Sequence, residues 1–163
     1  MINCFIPDSF EVPETFVSEH FYLKVLDENI AELDFEAVVS SRKRLQGIFG
    51  PKSAWPKDNM TLKDNIDSLK VHKQEFESKD AFAYSVFNST NEKCLGSVYI
   101  DPSRSSNYDC EVYLWIRDDS IVLDKLLYRT MLNWLQVDWP FSKVAFPGRC
   151  ISWKNWENAL KAV

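Results

Sequence analysis

The 163-residue chain has few of the residues that build metal sites, disulfide frameworks or membrane segments. It has two histidines, and its cysteines, Cys4, Cys94, Cys110 and Cys150, are far apart and form no C-x-x-C pair. We therefore expect no metal site and four reduced thiols, as in a cytoplasmic protein. No run of 18 apolar residues is present, and the first twenty residues lack a basic region followed by an apolar one. Neither a membrane span nor a signal peptide is expected.

Positive charge and glycine are also scarce. Lysine and arginine number 19 against 24 acidic residues, which gives a formal net charge of −5. Duplex nucleic acids are bound through basic surfaces, so a nucleic-acid partner is not expected. The basic triplet at residues 42–44 is typical of a solvated helix end. Only four glycines are present, which limits where a glycine-rich phosphate loop could be built.

The residues that are abundant indicate one globular domain with a full core. Hydrophobic residues make up 45% of the chain, charged residues 26% and aromatic residues 14%. Residues 1–19 form an N-terminal arm, and residues 20–163 form the domain. The arm carries five apolar side chains separated by Pro7 and Pro13, namely Phe5, Ile6, Phe10, Val12 and Phe16. We expect an extended arm that packs on the body or holds a second copy in a homodimer.

The first half of the domain predicts a strand followed by two helices. Residues 21–26 are β-branched or aromatic, as in a strand, and Asp27 can cap a helix that runs to about Gln46. Residues 47–60 are a loop. Thr61 and Asp64 have capping-box spacing, and the helix that they begin runs to about Lys79.

Three strand patterns follow, at residues 81–87, 94–101 and 108–117. Short turns connect them, which favours an antiparallel meander. Asp101 and Asp109 are expected at strand ends or turns. In the third pattern, the side chains of Glu111, Tyr113 and Trp115 share one face of the strand, and the opposite face is apolar throughout. The pattern predicts a core side and a side that faces a pocket or solvent.

The last part of the chain predicts helix, strand and helix. Apolar residues from Leu123 to Leu135 recur at helical spacing, with Asp119 or Ser120 as the expected N-cap. A short strand at residues 143–146 and a helix capped by Ser152 complete the order. A strand, a helix and a second strand in this sequence suit a right-handed parallel crossover.

This order, strand, two helices, three strands, helix, strand and helix, resembles the fold of the GNAT N-acetyltransferases. Leu95 to Ile100 looks like the third family strand, with Gly96 at a position where glycine is frequent, and Cys110 to Ile116 looks like the fourth, where a glutamate precedes aromatic residues. The resemblance covers about residues 20–160. It implies an α+β fold with a mixed, largely antiparallel sheet flanked by helices, the acyl-CoA N-acyltransferase fold.

The resemblance also implies a cofactor, acetyl-CoA, and where it would bind. In the family the pantetheine arm pairs with the backbone of the fourth strand, which corresponds here to Leu114, Trp115 and Ile116. The loop that holds the pyrophosphate in the family corresponds to residues 117–122, and its matching contacts are Arg117, Ser120 and Val122. Ser120 and Val122 stand where the family has glycine or alanine, and two aspartates add negative charge, so the loop departs from the family pattern.

For the chemistry, Glu111 is the candidate base that takes the proton of the acceptor amine; the alternative is a sheet carboxylate that faces solvent or pairs with a basic side chain. Phe49, Trp55 and Tyr113 are candidates for the acceptor pocket. Arg149 is either an anion contact or a surface arginine. The family places a tyrosine acid on the last helix, whose rings here are tryptophans.

The family also closes the sheet with two strands beyond this helix. The sequence given shows none before Val163, so we expect the arm to cover an exposed sheet edge.

Two functions remain open from the sequence. One is an N-acetyltransferase that moves an acetyl group from acetyl-CoA to an amine of a small molecule or peptide. The other is a non-catalytic member of the same fold that binds a ligand or a protein through the face that carries Glu111, Tyr113 and Trp115.

Overall fold

The computed structural model describes residues 4–162, and these form one mixed sheet with helices on both faces. The strands are β1 (Thr15–Val17), β2 (Phe21–Val25), β3 (Phe82–Asn88), β4 (Cys94–Pro102), β5 (Cys110–Ile116) and β6 (Val144–Ala145). The α-helices are α1 (Ala31–Ser40), α2 (Arg42–Leu45), α3 (Leu62–Glu77), α4 (Asp124–Asp138) and α5 (Trp153–Lys161). Two 3₁₀ helices, Glu28–Ile30 and Asp118–Leu123, precede α1 and α4.

The strands lie in the sheet in the order in which they occur along the chain. Each neighbouring pair from β1 to β5 is antiparallel, whereas β5 and β6 are parallel and are joined by α4. The meander and the parallel crossover predicted from the sequence are both confirmed. So is the predicted fold class, a mixed and largely antiparallel sheet flanked by helices.

Both faces of the sheet are buried, each against its own set of helices. On one face, α4 packs through Leu127 and Met131 against apolar residues of β3, β4 and β5. On the other face, α1, α3 and the loop at residues 47–60 cover a second cluster that includes Tyr113 and Trp115 of β5. The predicted alternation of β5 is therefore correct, and the side predicted to face a pocket or solvent is a second core.

The arm packs on the face that α4 covers. Ile6 is 1% exposed, and the ring of Phe5 stacks on Phe82 and Phe141 at centroid distances of 5.6 Å each. The arm also supplies β1, a strand absent from the sequence prediction, which pairs with β2 along one edge of the sheet. In the described residues, β6 forms the opposite edge. A homodimer through the arm stays a prediction. The aromatic rings of the arm that would form such an interface pack on the core of the same chain.

Three of the N-caps predicted from the sequence are confirmed by the structure, and one is wrong. Asp27, Thr61 and Ser152 accept backbone N–H bonds as predicted, and Thr61 forms the full capping box. The prediction that Asp119 or Ser120 caps the next helix is wrong. Residues 118–123 instead form a 3₁₀ helix, and α4 begins at Asp124 without a side-chain cap. The hydroxyl of Ser120 donates to the Asp119 carboxylate at 2.9 Å and so is not used as a cap.

The helix predicted from Asp27 to Gln46 is interrupted in the structure. A 3₁₀ turn precedes α1, and Ser41 separates α1 from α2 with φ −119° and ψ 11°. The buried Ser41 hydroxyl accepts a hydrogen bond from the backbone N–H of Asp118 at 2.8 Å. This contact links the break in the helix to the segment that follows β5.

Within residues 4–162, no helix is both long enough and apolar enough to cross a membrane. The same residues contain no group of three or more histidine, cysteine or acidic side chains arranged to hold a metal ion. All four cysteines carry free thiols, and burial raises the pKa of Cys94 to about 12. A buried thiol with a raised pKa is a poor nucleophile at neutral pH.

Candidate functional site

A groove opens where β5 and β6 separate. The two strands pair only at Cys110 with Val144 and at Glu111 with Ala145. Beyond these pairs the chain turns at Gly148, which has φ +82°. On this side, no strand within residues 4–162 pairs with the remaining length of β5. The resulting groove has a volume of about 300 Å³, and its walls include Leu114, Ile121 and Trp153.

The backbone of β5 faces this groove at alternate residues. The N–H of Arg117 bonds to Leu95 of β4 at 2.7 Å, so the antiparallel alternation turns the polar groups of Leu114 and Ile116 away from β4. Trp115 lies between them, and its backbone is directed to β4. The side chain of Trp115 is fully buried in the cluster that α1 and α3 cover, and its indole N–H donates to the Tyr99 hydroxyl at 3.0 Å. Of the three predicted backbone contacts, Leu114 and Ile116 thus point into the groove.

Two arginines bind the carbonyl groups that face the groove. Arg149 donates to the carbonyl of Leu114 at 3.1 Å and forms a bidentate ion pair with Asp124 at 2.7 and 2.9 Å. Arg44 donates to the carbonyl of Ile116 and pairs with Asp118. The exposed edge of β5 is therefore covered by guanidinium groups, each held by a carboxylate at the start of the 3₁₀ helix or of α4.

The three predicted loop contacts lie outside the groove walls. The guanidinium of Arg117 is 9% exposed and forms two 2.7 Å bonds to the Glu36 carboxylate, so it ties α1 to the end of β5. Val122 is 88% exposed. Ser120 bonds to Asp119, as described above. Ile121 and Asp124 are the residues of this segment that line the groove, and the sequence pattern did not single them out.

Glu111 lies at the point where the strands separate, and it is 4% exposed. Its carboxylate accepts three hydrogen bonds, from the backbone N–H of Arg104 at 3.1 Å, from Nε of Arg104 at 2.9 Å and from the hydroxyl of Tyr113 at 3.1 Å. The structure therefore shows the Glu111 carboxylate paired with a basic side chain. This pairing is one of the alternatives to a catalytic base that the sequence allowed. A carboxylate with these donors is held in one position.

Asp101 is a second carboxylate, and it lies beside Glu111 on the neighbouring strand. It is the cross-strand partner of Glu111, so both side chains project from the same face of the sheet. Burial raises the pKa of Asp101 to about 7, with further contributions from the charges of Glu111 and Glu75 and an opposing one from Arg104. Asp101 lies next to the end of β4, at the strand end where the sequence predicts it. The register between β4 and β5 was the signal that would have paired it with Glu111.

The three predicted acceptor-pocket residues come together as an aromatic cluster. The ring of Phe49 lies 5.3 Å from Trp55, 5.1 Å from Tyr99 and 5.3 Å from Tyr113, measured between centroids. Tyr113 is also nearly parallel to the ring of Trp153 at 6.5 Å. Trp153 forms part of the wall of the groove and part of the wall of a second cavity, which has a volume of about 370 Å³. The two cavities therefore meet at this ring.

Comparison with known proteins finds similarity in three-dimensional structure. No family model matches the sequence, and no curated protein matches it. The ribosomal-protein-S5-alanine acetyltransferase from Vibrio fischeri is similar with a TM-score of 0.60 and 14% identity, over 92% of this chain and 82% of that chain. The ribosomal L7/L12 α-N-protein acetyltransferase RimL in complex with coenzyme A is similar with a TM-score of 0.57 and 15% identity, over 74% of this chain and 67% of that chain.

A third structure, FdhC, described as a nucleotide-linked sugar GNAT, is similar with a TM-score of 0.57 and 12% identity, over 82% of this chain and 71% of that chain. These proteins differ in the acceptors that their descriptions name. What they share with this chain is the arrangement of the sheet and its helices.

Proposed function

The chain has the fold of the GNAT acetyltransferases, as its sequence resemblance predicted, and we propose that it is an N-acetyltransferase that uses acetyl-CoA. The observation that carries the proposal is the separation of β5 from β6 after two residue pairs. It leaves unpaired strand backbone along a groove that begins beyond Glu111, the last residue of β5 that pairs with β6. The acceptor is an amine of a small molecule or a peptide.

The groove offers a chemical fit to the pantetheine arm of the cofactor. Leu114 and Ile116 present backbone groups that no strand uses, and amide groups of the pantetheine arm could pair with them as a further strand would. When bound, acetyl-CoA supplies an acetyl group activated as a thioester. The residues of this chain bind the cofactor along β5 and place its reactive end toward Glu111.

The fit to the pyrophosphate depends on Asp124 and Arg149. Asp124 is the first residue of α4, and the N-terminus of a helix attracts anions. Its own backbone N–H bonds to the carbonyl of Ile121 in the preceding 3₁₀ helix, and its negative charge opposes a phosphate there. Arg149 is the cation within reach, because it already pairs with Asp124. We propose that Arg149 turns from Asp124 and Leu114 toward the pyrophosphate when the cofactor binds.

The proton of the acceptor amine goes to the carboxylate pair of Glu111 and Asp101. Glu111 is the last residue of β5 that pairs with β6, and its carboxylate is oriented by Arg104 and Tyr113. Asp101 beside it has a pKa of about 7, close to the value that suits proton transfer at neutral pH. The ring of Phe49 packs beside Tyr113, whose hydroxyl bonds to Glu111, and Glu111 is buried, so little water reaches its carboxylate.

A second candidate function, a non-catalytic binding module, rests on one observation. The two carbonyl groups that a cofactor would use are bonded to Arg149 and Arg44, and Arg117 is locked to Glu36. A chain that keeps these bonds has no free carbonyl groups on β5 with which pantetheine could pair. Under this alternative the fold is a scaffold, and the groove stays closed.

Calorimetric titration with acetyl-CoA, CoA and pantetheine tests the two candidates. Micromolar binding of acetyl-CoA and CoA, with weaker binding of pantetheine, would support the acetyltransferase, because CoA adds the pyrophosphate contacts at α4. Absence of binding at millimolar CoA would reject it in favour of the binding module. An acceptor screen with purified protein then follows the first outcome.

A further inference from the structure

The second cavity, beyond Trp153, has a distinct chemical character. It lies between the loop at residues 47–60 and α5 and has a volume of about 370 Å³. Aromatic rings form its apolar walls, and of the described residues three cations and one carboxylate, Glu157, line it. The rings are Phe49, Trp153 and Trp156, and the cations are Lys52, Arg104 and Lys161.

This concentration of positive charge contrasts with the net charge of the whole protein, which is −5. Among the described residues, Lys52 and Lys161 form no ion pair. The guanidinium of Arg104 uses Nε on Glu111 and one terminal nitrogen on Tyr113, which leaves its other terminal nitrogen without a bond to these residues. Cations grouped beside aromatic walls are suited to an anion with an apolar part.

The cavity also adjoins the candidate reaction centre. Arg104 is one of its walls and contacts Glu111 directly. Trp153 separates the cavity from the groove between β5 and β6, and it packs beside Tyr113, whose hydroxyl bonds to Glu111. A ligand in this cavity would contact Arg104 and a cofactor in the groove would contact Tyr113, and both of these residues bond to the carboxylate of Glu111.

We propose that this cavity is the acceptor site and that the acceptor is a small amine that carries a carboxylate and an apolar or aromatic group. The inference rests on the proposed acetyltransferase function. Lys52 and Lys161 bind the carboxylate, Phe49 and Trp153 contact the apolar group, and the amine lies toward Glu111. The volume suits a ligand of the size of an amino acid or a dipeptide.

Ligand-observed NMR without cofactor tests the site independently of acetyl transfer. Three probes of similar shape are compared: phenylalanine, phenylalaninamide and 2-phenylethylamine, of which only the first has a carboxylate. We expect phenylalanine to bind about tenfold more tightly than the other two. Replacing both cavity lysines, Lys52→Gln with Lys161→Gln, should abolish that difference, whereas Lys70→Gln, on the exposed face of α3, should leave it unchanged.

Equal binding of the three probes, or no binding of phenylalanine, would overturn the proposal. So would an undiminished preference in the double lysine variant. A parallel titration with O-phosphoethanolamine and ethanolamine covers a different anion, and a preference for the phosphate compound with none for phenylalanine would reject the carboxylate assignment. Failure of the proposed function itself would be seen elsewhere, as absence of CoA binding in calorimetry.

Discussion

Asp124 and Arg149 illustrate how single residues decide whether the groove accepts an anion. The side chains of both are partly buried, at 19% and 25% exposure, so their mutual attraction is less screened than that of a surface pair. In this pairing Arg149 covers the Leu114 carbonyl and Asp124 places a negative charge at the first turn of α4. The pair therefore opposes the pairing of pantetheine with Leu114 and the binding of a pyrophosphate at α4.

Replacing Asp124 by asparagine is expected to strengthen CoA binding. The change removes the carboxylate charge and frees Arg149 for the phosphate, and we expect a decrease in Kd of about tenfold, measured by calorimetry. Asp138→Asn, which alters an exposed carboxylate at the other end of α4, is the matched control. Weaker or unchanged CoA binding by the Asp124 variant would contradict a role for this pair as a barrier.

A second prediction concerns Glu111. If it takes the proton of the amine, Glu111→Gln should lower kcat/KM by about a hundredfold or more, because general-base catalysis typically contributes that much. The glutamine side chain keeps the shape and can accept from Arg104 and Tyr113. Glu32→Gln, on the exposed side of α1, should retain full activity. Retained turnover by the Glu111 variant would assign the proton to another group, with Asp101 the first to examine.

At the scale of elements, local sequence signals predicted most of the fold. The alternation of β5 and the capping box of α3 are properties of neighbouring residues, and both are confirmed. The strand β1 was missed because three residues give too short a pattern and its partner, β2, supplies the pairing. The start of α4 was misplaced for a similar reason, since Ser41, distant in sequence, bonds to the backbone of Asp118 and holds the preceding turn.

The arm offers a test of whether it is part of the same folded unit as the rest of the chain. Ile6 is 1% exposed within the cluster that α4 covers, so Ile6→Ala should leave a cavity and lower the free energy of unfolding by about 2–5 kcal/mol. Val17, in β1 of the same arm, is 68% exposed, and Val17→Ala is the control, with an expected change within about 0.5 kcal/mol. Urea unfolding measures both. Equal and small effects would indicate an arm that contributes little to folding.

At the scale of the whole molecule, the candidate site was only partly visible in the sequence. Glu111 and the aromatic group of Phe49, Trp55 and Tyr113 were identified from one strand and one loop, and the structure brings them together. The pairing of Asp101 with Glu111 depends on strand register, and the bond from Arg149 to Leu114 joins residues 35 positions apart. Contacts of this kind arise from packing, and no local pattern predicts them.

The contribution of buried carboxyl groups to the stability of the whole molecule should decrease as the pH rises from about 4 to 7, because these groups must ionise; His72, whose pKa burial lowers, contributes in the opposite direction. Asp34 is 3% exposed between α1 and the sheet, where burial raises its pKa to about 6, opposed by the bond from Asn65. The native state then binds a proton that the unfolded chain has released, so the free energy of unfolding falls with pH across this window. Asp101, with its raised pKa, contributes in the same direction.

Asp34→Asn should therefore flatten the pH dependence. A difference of about two pKa units corresponds to about 3 kcal/mol, so we expect the variant to gain up to that amount relative to the natural protein between about pH 4 and pH 7. The asparagine can still accept the hydrogen bond from Asn65, which separates the effect of charge from loss of the bond. Urea unfolding at several pH values makes the measurement, with Asp138→Asn as the exposed control. Parallel curves for Asp34→Asn and the natural protein would show that Asp34 ionises without cost, and a steeper fall would show that its charge stabilises the fold.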